Sequence, residues 1–150
     1  MADQTHINKS LARRWFEEVW NQGRTRAIDE LLAADCVAHG LGEEGQPLHG
    51  PEHFRRFYDQ FRSAFPDVRI HVQDVLAEAD KTAVRFTAQA THTGHGLGVA
   101  PTGRPVNVTG MCIMQWADGQ IAEAWNEFDA AALVRQITQT PPAATVRATV

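Results

Sequence analysis

The sequence has few of the features that mark secreted, membrane-spanning or metal-binding proteins. Its 150 residues include only two cysteines, Cys36 and Cys112, which do not form a CxxC motif. Two buried, reduced thiols are therefore a better prediction than a disulfide framework or a metal site. No apolar run approaches the roughly 20 residues that a membrane span requires, and the N-terminus has no secretory signal pattern. These absences favour a cytoplasmic protein.

An excess of charge of one sign is also lacking. The 14 Lys and Arg residues against 18 Asp and Glu give a formal net charge of −4. A dedicated nucleic-acid binder would usually carry a basic stripe, so neither nucleic acid nor a membrane is an expected partner. Of all 150 residues, 43% are hydrophobic, and a chain of this length can bury the core of one domain.

Apolar residues at helical spacing dominate the first half of the chain. The first predicted helix ends at Asn21-Gln22-Gly23 and carries this stripe: Ile7, Leu11, Trp15, Phe16, Val19 and Trp20. Thr25 suits the N-cap of a short second helix, and residues 36–39 predict a strand before a glycine-rich loop. Pro51 suits the first turn of a third helix. Its stripe is aromatic: Phe54, Phe57, Tyr58, Phe61 and Phe65.

After Pro66-Asp67 the pattern changes from helical to alternating. This predicts four strands, over residues 68–78, 82–93, 105–116 and 120–128. Asp80-Lys81 and Asp118-Gly119 indicate tight hairpins, and the glycine-rich segment 94–103 is interpreted as a mobile rim over a pocket. Residues 130–137 return to a helical pattern, and residues 139–150 are predicted to be a disordered tail.

Three helices followed by an antiparallel meander predict one α+β domain over residues 1–138. The third helix must bury its aromatic stripe, and a strongly curved sheet wrapped around the helices would do so. Such a sheet leaves a cone with an open mouth, where small-molecule sites occur. The expected partner is therefore a small hydrophobic or aromatic molecule.

Five segments resemble one known family in their order and spacing. They are Glu-Val-Trp-Asn at 18–21, Ala-His at 38–39, Ala-Phe-Pro-Asp at 64–67, Thr-His-Thr-Gly with Pro-Thr-Gly-Arg at 91–94 and 101–104, and the segment 118–129. Together they resemble the SnoaL-like polyketide cyclases of the NTF2-like superfamily. The resemblance implies an NTF2-like cone with three N-terminal helices packed in a strongly curved antiparallel sheet. It further implies a homodimer or homotetramer that uses no metal or organic cofactor.

The resemblance also implies an acid/base aspartate at the end of the last strand, which here is Asp129. Side chains alternate along a strand, so Glu123, Trp125, Glu127 and Asp129 share a face unless a bulge intervenes. If that face lines the pocket, desolvation and like charge would make one carboxylate a stronger base, which suits proton removal near neutral pH. Asp129 also precedes the helix beginning at Ala130, where an N-cap belongs, and capping would favour the ionised form.

The other candidates also have structural alternatives. His39 ends a strand, and His92 is in phase with an apolar face, so either could be a proton partner of Asp129 or a hydrogen-bonded structural residue. The predicted substrate-binding residues are Trp15, Phe57, Phe61, Gln115, Trp125 and Glu127. The function expected from the resemblance is acid/base-catalysed aldol-type cyclisation of a polyketide-like or β-dicarbonyl molecule. The alternatives are a dehydratase, isomerase or epoxide hydrolase, or a non-catalytic small-molecule binding module.

Overall fold

A computed structural model describes residues 3–138, so the predicted disordered tail lies outside the described residues. The helices are α1 (Gln4–Arg14), α2 (Arg26–Leu31), α3 (Gly50–Ala64) and α4 (Ala130–Thr138). The strands are β1 (Leu32–His39), β2 (Leu48–His49), β3 (Arg69–Glu78), β4 (Lys81–Thr91), β5 (Pro105–Ala117) and β6 (Gln120–Phe128). Across this range, no helix has the length and apolar character needed to cross a membrane.

The strands form one sheet in the order β2-β1-β6-β5-β4-β3. β3 to β6 make the predicted antiparallel meander, and the curled sheet encloses the helices, so the predicted α+β cone is confirmed. One neighbouring pair departs from the expected antiparallel pattern, because β1 lies parallel to β6. The chain between these two strands contains β2, α3 and the first three strands of the meander, β3 to β5.

The first predicted helix changes its winding halfway. After α1, the segment Trp15–Asn21 is a π-helix, in which the N–H of Gln22 donates to the carbonyl oxygen of Glu17 at 2.8 Å. The wider turn brings large side chains together on the buried side: Trp15, Phe16, Val19 and Trp20. The sequence pattern places Ile7 in this stripe, but Ile7 is 41% exposed, because Asn8 occupies the buried side of α1 instead.

Aromatic contacts fix α3 against the π-helical segment. The ring centroid of Trp20 lies 5.0–6.3 Å from those of four rings on α3: Phe54, Phe57, Tyr58 and Phe61. Such pairs stabilise packing beyond the area that they bury. The hydroxyl of Tyr58 also donates to the carbonyl oxygen of Val19 at 2.7 Å. These contacts form a rigid helical wall opposite the sheet.

The turns and caps agree with the sequence predictions only in part. Asp118 and Gly119 both have positive φ, of 53° and 78°, as expected for the predicted tight hairpin. The first hairpin turns one residue earlier than predicted, since Glu78 pairs directly with Lys81. Thr25 precedes α2 as expected, but its side chain makes no capping hydrogen bond.

A β-bulge in β6 decides which side chains face the interior. Trp116 of β5 pairs with Ile121, whereas Gln115 pairs with Glu123, so Ala122 is an extra residue. One extra residue reverses the alternation of every side chain that follows it. The inward-facing residues of β6 that line the interior are Ile121, Ala124, Asn126 and Phe128.

Candidate functional site

A cavity of about 100 Å³ lies between the inner face of the sheet, the π-helical segment and α3. On this scale one water needs roughly 10–15 Å³, and an apolar cavity of about 150 Å³ is known to take up benzene. The space therefore suits a small ring or one part of a larger molecule. The half-buried residues of the lining indicate the side on which it opens: Val37, Ala38, Leu41, Phe57, Phe61, Phe86, Asn126 and Phe128.

The lining is almost entirely apolar. Within the described residues, it contains one side-chain amide, that of Asn126, and no carboxylate, imidazole, lysine or arginine; the other side chains are hydrocarbons, thiols and indoles. The two cysteines both line the cavity, and they are buried and free, as predicted. Burial raises the pKa of the Cys112 thiol to about 12, and it also raises the pKa of the Cys36 thiol. Both thiols are therefore neutral near pH 7 and weak as nucleophiles.

The predicted aromatic binding residues of the helices lie in this cavity. Trp15 contributes from the π-helical segment, while Phe57 and Phe61 contribute from α3. Trp15 packs on Phe54 with ring centroids 5.0 Å apart, and Phe57 lies 6.0 Å from Phe61. These contacts hold the rings in fixed positions, so the helical wall of the cavity is preformed.

Asp129 lies outside the cavity lining and caps α4. Its Oδ1 accepts a hydrogen bond from the backbone N–H of Ala132 at 2.9 Å. Its own N–H donates to the carbonyl oxygen of Thr109 at 3.1 Å, which fixes the chain where β6 ends. The side chain is exposed and borders a shallow outer groove together with Glu127 and Met111. This geometry is that of the N-cap alternative.

The structure places Glu123, Trp125, Glu127 and Asp129 outside the cavity lining, because a bulge at Ala122, the alternative that the sequence left open, turns β6 over. Trp125 lies on the outer face of the sheet, where it is 37% exposed. Lys81 is placed over its ring, with Nζ 5.6 Å from the centroid. Glu127 is exposed on the same face.

Gln115 also lies on the outer face, because it alternates along β5 with the buried residues Met114 and Trp116. A regular two-residue hairpin would have placed it opposite Ala122, but the bulge places it opposite Glu123. Its Nε2 donates to Oδ2 of Asp80 at 3.0 Å, an exposed contact at the turn between β3 and β4. Gln115 therefore contributes no polar group to the cavity.

His39 belongs to an outer-face cluster and does not line the cavity. Its Nε2 lies 2.7 Å from Oε2 of Glu123, and its ring stacks on Trp125 with centroids 5.8 Å apart. Only its backbone carbonyl reaches the cavity wall, where it accepts a hydrogen bond from Asn126 at 3.0 Å. Among residues 3–138, no three His, Cys, Asp or Glu side chains come together as a set that could hold a metal ion.

His92 points inward, as its strand phase predicts, but into the core and not into the cavity. It is fully buried, and its ring packs on Phe65 at 5.3 Å. Nδ1 lies 3.0 Å from Oγ1 of Thr102, and the His92 carbonyl accepts the N–H groups of Thr102 and Gly103. His92 therefore fastens the base of the glycine-rich loop. No residue of that loop contributes to the cavity lining.

Replacement of Asp129 by alanine should lower the free energy of unfolding by about 1 kcal/mol, because the first turn of α4 loses its side-chain acceptor. Asp129→Ser should retain most of that stability, since serine is an equally good N-cap that lacks the carboxylate. Urea unfolding followed by circular dichroism would measure both variants. Equal losses for alanine and serine would contradict the capping role.

The sequence predictions missed Asn126, whose side-chain amide lines the cavity. The Asp-Gly turn indicates a regular hairpin, and a regular hairpin would have placed Asn126 outside. One signal for the bulge was present: Ile121, Ala124 and Phe128 can all face inward only if the alternation breaks between positions 121 and 124. The two glutamates on the face of Trp125 also argued against burial of that face.

Comparison with known proteins assigns the fold to a family. A family model described as SnoaL-like polyketide cyclase matches residues 10–137. A proposed SnoaL-like polyketide cyclase from Jannaschia sp. CCS1 is 25% identical, with a TM-score of 0.82 over 94% of this chain and 98% of that one.

Two streptomycete structures are similar as well. IdmH from Streptomyces antibioticus, described as a proposed polyketide cyclase, is 30% identical, with a TM-score of 0.74 over 89% of this chain and 98% of that one. AclR from Streptomyces galilaeus, described as a proposed hydroxylase, is 25% identical, with a TM-score of 0.81 over 97% and 91%. No curated protein matches the chain in sequence.

Proposed function

The chain belongs to the SnoaL-like polyketide cyclase family, and from that premise we propose that it binds a compact polyketide-like or β-dicarbonyl molecule and promotes its aldol-type cyclisation. The observation that carries the proposal is the apolar cavity inside the cone, with its rigid aromatic wall and its opening beside Asn126. A cavity of this kind accepts the reacting segment of a substrate and leaves the rest of the molecule in the opening.

The reaction needs no co-reactant. An acidic α-carbon of the substrate gives up a proton to solvent while the neighbouring carbonyl oxygen takes one up, and the carbon of this neutral enol forms a bond to an internal carbonyl carbon. The enol hydroxyl loses its proton as its carbonyl re-forms, and the oxygen of the attacked carbonyl takes up a proton and becomes a hydroxyl group, so the product is an isomer of the substrate. The protein's contribution is to hold the chain folded with the two carbons in contact, which can supply several kcal/mol of the barrier.

Asp129 has no direct part in this proposal. A general base must come within hydrogen-bond reach of the proton that it removes, and the Asp129 carboxylate is engaged at the N-terminus of α4. We therefore assign catalysis to positioning and desolvation in the cavity instead of to acid/base chemistry by Asp129. This differs from the role that the family resemblance implied.

A panel of linear β-polycarbonyl compounds tests the proposal, with products analysed by liquid chromatography and mass spectrometry. We expect cyclic products of unchanged mass, formed faster than without protein. Because the reacting species is the neutral enol, the rate should fall as the pH rises through the substrate's own ionisation, and Asp129→Ser should retain the activity. A bell-shaped pH profile in the wild-type protein, together with loss of turnover in Asp129→Ser, would contradict catalysis by positioning.

A non-catalytic binding module is the second candidate. The observation that favours it is the absence of any ionised side chain from the cavity lining within the described residues. It predicts that an apolar metabolite accompanies the protein through purification and that no compound of the panel is turned over. Mass spectrometry of material released by denaturation, run beside the activity screen, separates the two functions.

A further inference from the structure

The side-chain amide of Asn126 has a defined orientation. Its Nδ2 donates a hydrogen bond to the backbone carbonyl oxygen of His39 at 3.0 Å. A carbonyl oxygen can only accept, so the NH₂ end of the amide must face His39 and the Oδ1 end must face away. The assignment of the two amide atoms therefore follows from chemistry.

This orientation leaves an acceptor at the opening of the cavity. Among residues 3–138, no donor forms a hydrogen bond to Asn126 Oδ1, while the side chain itself lines the cavity and is half-buried. Every other lining side chain is apolar, a thiol or an indole. A ligand in the cavity thus meets one strong hydrogen-bond acceptor at a fixed place on the wall.

The surrounding backbone keeps this acceptor in place. Gly40, directly after His39, passes so closely over Asn126 that a β-carbon at position 40 would overlap the Asn126 carbonyl oxygen. Asn126 is also held in register opposite Cys112 of β5. Rotation of the amide would cost the bond to His39, so the acceptor is preorganised before a ligand binds.

We propose that Asn126 orients the ligand by accepting a hydrogen bond from a hydroxyl group of a neutral, compact, largely apolar molecule, a phenol or an enol. This inference rests on the proposed function, because it names the part of the substrate that the cavity recognises. The enol form of a β-dicarbonyl compound carries such a hydroxyl next to its nucleophilic carbon. A carboxylate is excluded, because it would place acceptor against acceptor in a lining without a cationic side chain.

Phenol and toluene are matched probes for this site, since they have nearly the same shape and only phenol carries a donor. Their dissociation constants for wild-type protein and Asn126→Leu can be measured by titration calorimetry, with thermal unfolding as the check on folding. We expect Asn126→Leu to weaken phenol binding relative to toluene by about three- to tenfold, as for one hydrogen bond. Toluene binding should remain within about twofold of wild type.

The outcomes separate this inference from the proposed function. If toluene fails to bind wild-type protein, the cavity is not a ligand site and the proposed function fails. If toluene binds but the phenol-to-toluene ratio is the same in both proteins, the cavity stands and the role of Asn126 is overturned. A purely structural role would weaken both probes equally.

A comparison within the wild-type protein covers the case in which Asn126→Leu does not fold. Anisole is the methyl ether of phenol, so it keeps the oxygen on the ring but has no O–H donor. The affinity of each probe is corrected for its free energy of transfer from water to an apolar solvent. After this correction, phenol should bind several-fold more tightly than anisole. Equal corrected affinities would overturn the inference.

Discussion

Replacement of Ala124 by leucine is expected to abolish ligand binding and turnover while leaving the protein folded. Ala124 faces the cavity from β6 and is buried next to Met114 and Ala38, its partners in the sheet. Three additional carbon atoms at this position would occupy much of a cavity of about 100 Å³. Some overpacking is expected, with a cost of about 1–3 kcal/mol. Calorimetric titration with toluene measures the loss of binding.

The matched control is Trp125→Ala, one residue further along the same strand. Trp125 lies on the outer face, so this variant removes a much larger side chain without changing the cavity. It should bind toluene as the wild-type protein does. If Ala124→Leu still binds toluene and Trp125→Ala does not, the ligand site lies on the outer face of the sheet.

Replacement of Gly40 by alanine is expected to destabilise the fold more than the loss of the Asp129 cap does. Gly40 has a φ of +88°, in the left-handed region, and an added β-carbon would overlap the backbone carbonyl group of Asn126. The left-handed strain costs about 1–2 kcal/mol for alanine. The overlap adds about 1–3 kcal/mol, because the end of β1 must move away from β6. Chemical denaturation would show the combined loss as a lower midpoint.

Gly45→Ala is the control that separates strain from overlap. Gly45 has a similar φ of +79°, and nothing lies within 4 Å of the position that its β-carbon would take. We expect this variant to lose only the strain energy. Equal losses for the two variants would show that the close passage of Gly40 over Asn126 is unimportant for stability.

The elements of the fold were predictable because their signals are local. The aromatic stripe at positions 54–65 requires a helix with one buried face, and the alternating runs after Pro66 require strands. The apolar stripes of the first and third predicted helices also located Trp15, Phe57 and Phe61 in the cavity wall, since a helix has one buried face and the cavity adjoins it. The predicted homodimer or homotetramer and the cytoplasmic location stay predictions.

The residues that β6 contributes to the cavity could not be predicted in the same way. One extra residue, Ala122, decides which side chains of β6 face inward. The bulge at Ala122 reverses β6, so the side chains that carried the acid/base hypothesis lie outside and Asn126 lies inside. The hairpin residues Asp118 and Gly119 carry no information about a bulge three residues later. The two roles of Asp129, cap and base, could be separated only by the contact with the N–H of Ala132.

Methyl NMR during a titration with toluene tests the central claim most directly, because β5 carries reporters on both faces. Met114 lines the cavity, whereas Met111 and Ile113 are exposed on the outer face. If the cavity is the ligand site, the methyl resonances of Met114 and Ala124 should shift saturably while those of Met111 and Ile113 stay unchanged. Saturable shifts confined to Met111 and Ile113 would contradict the account and place the site on the outer face.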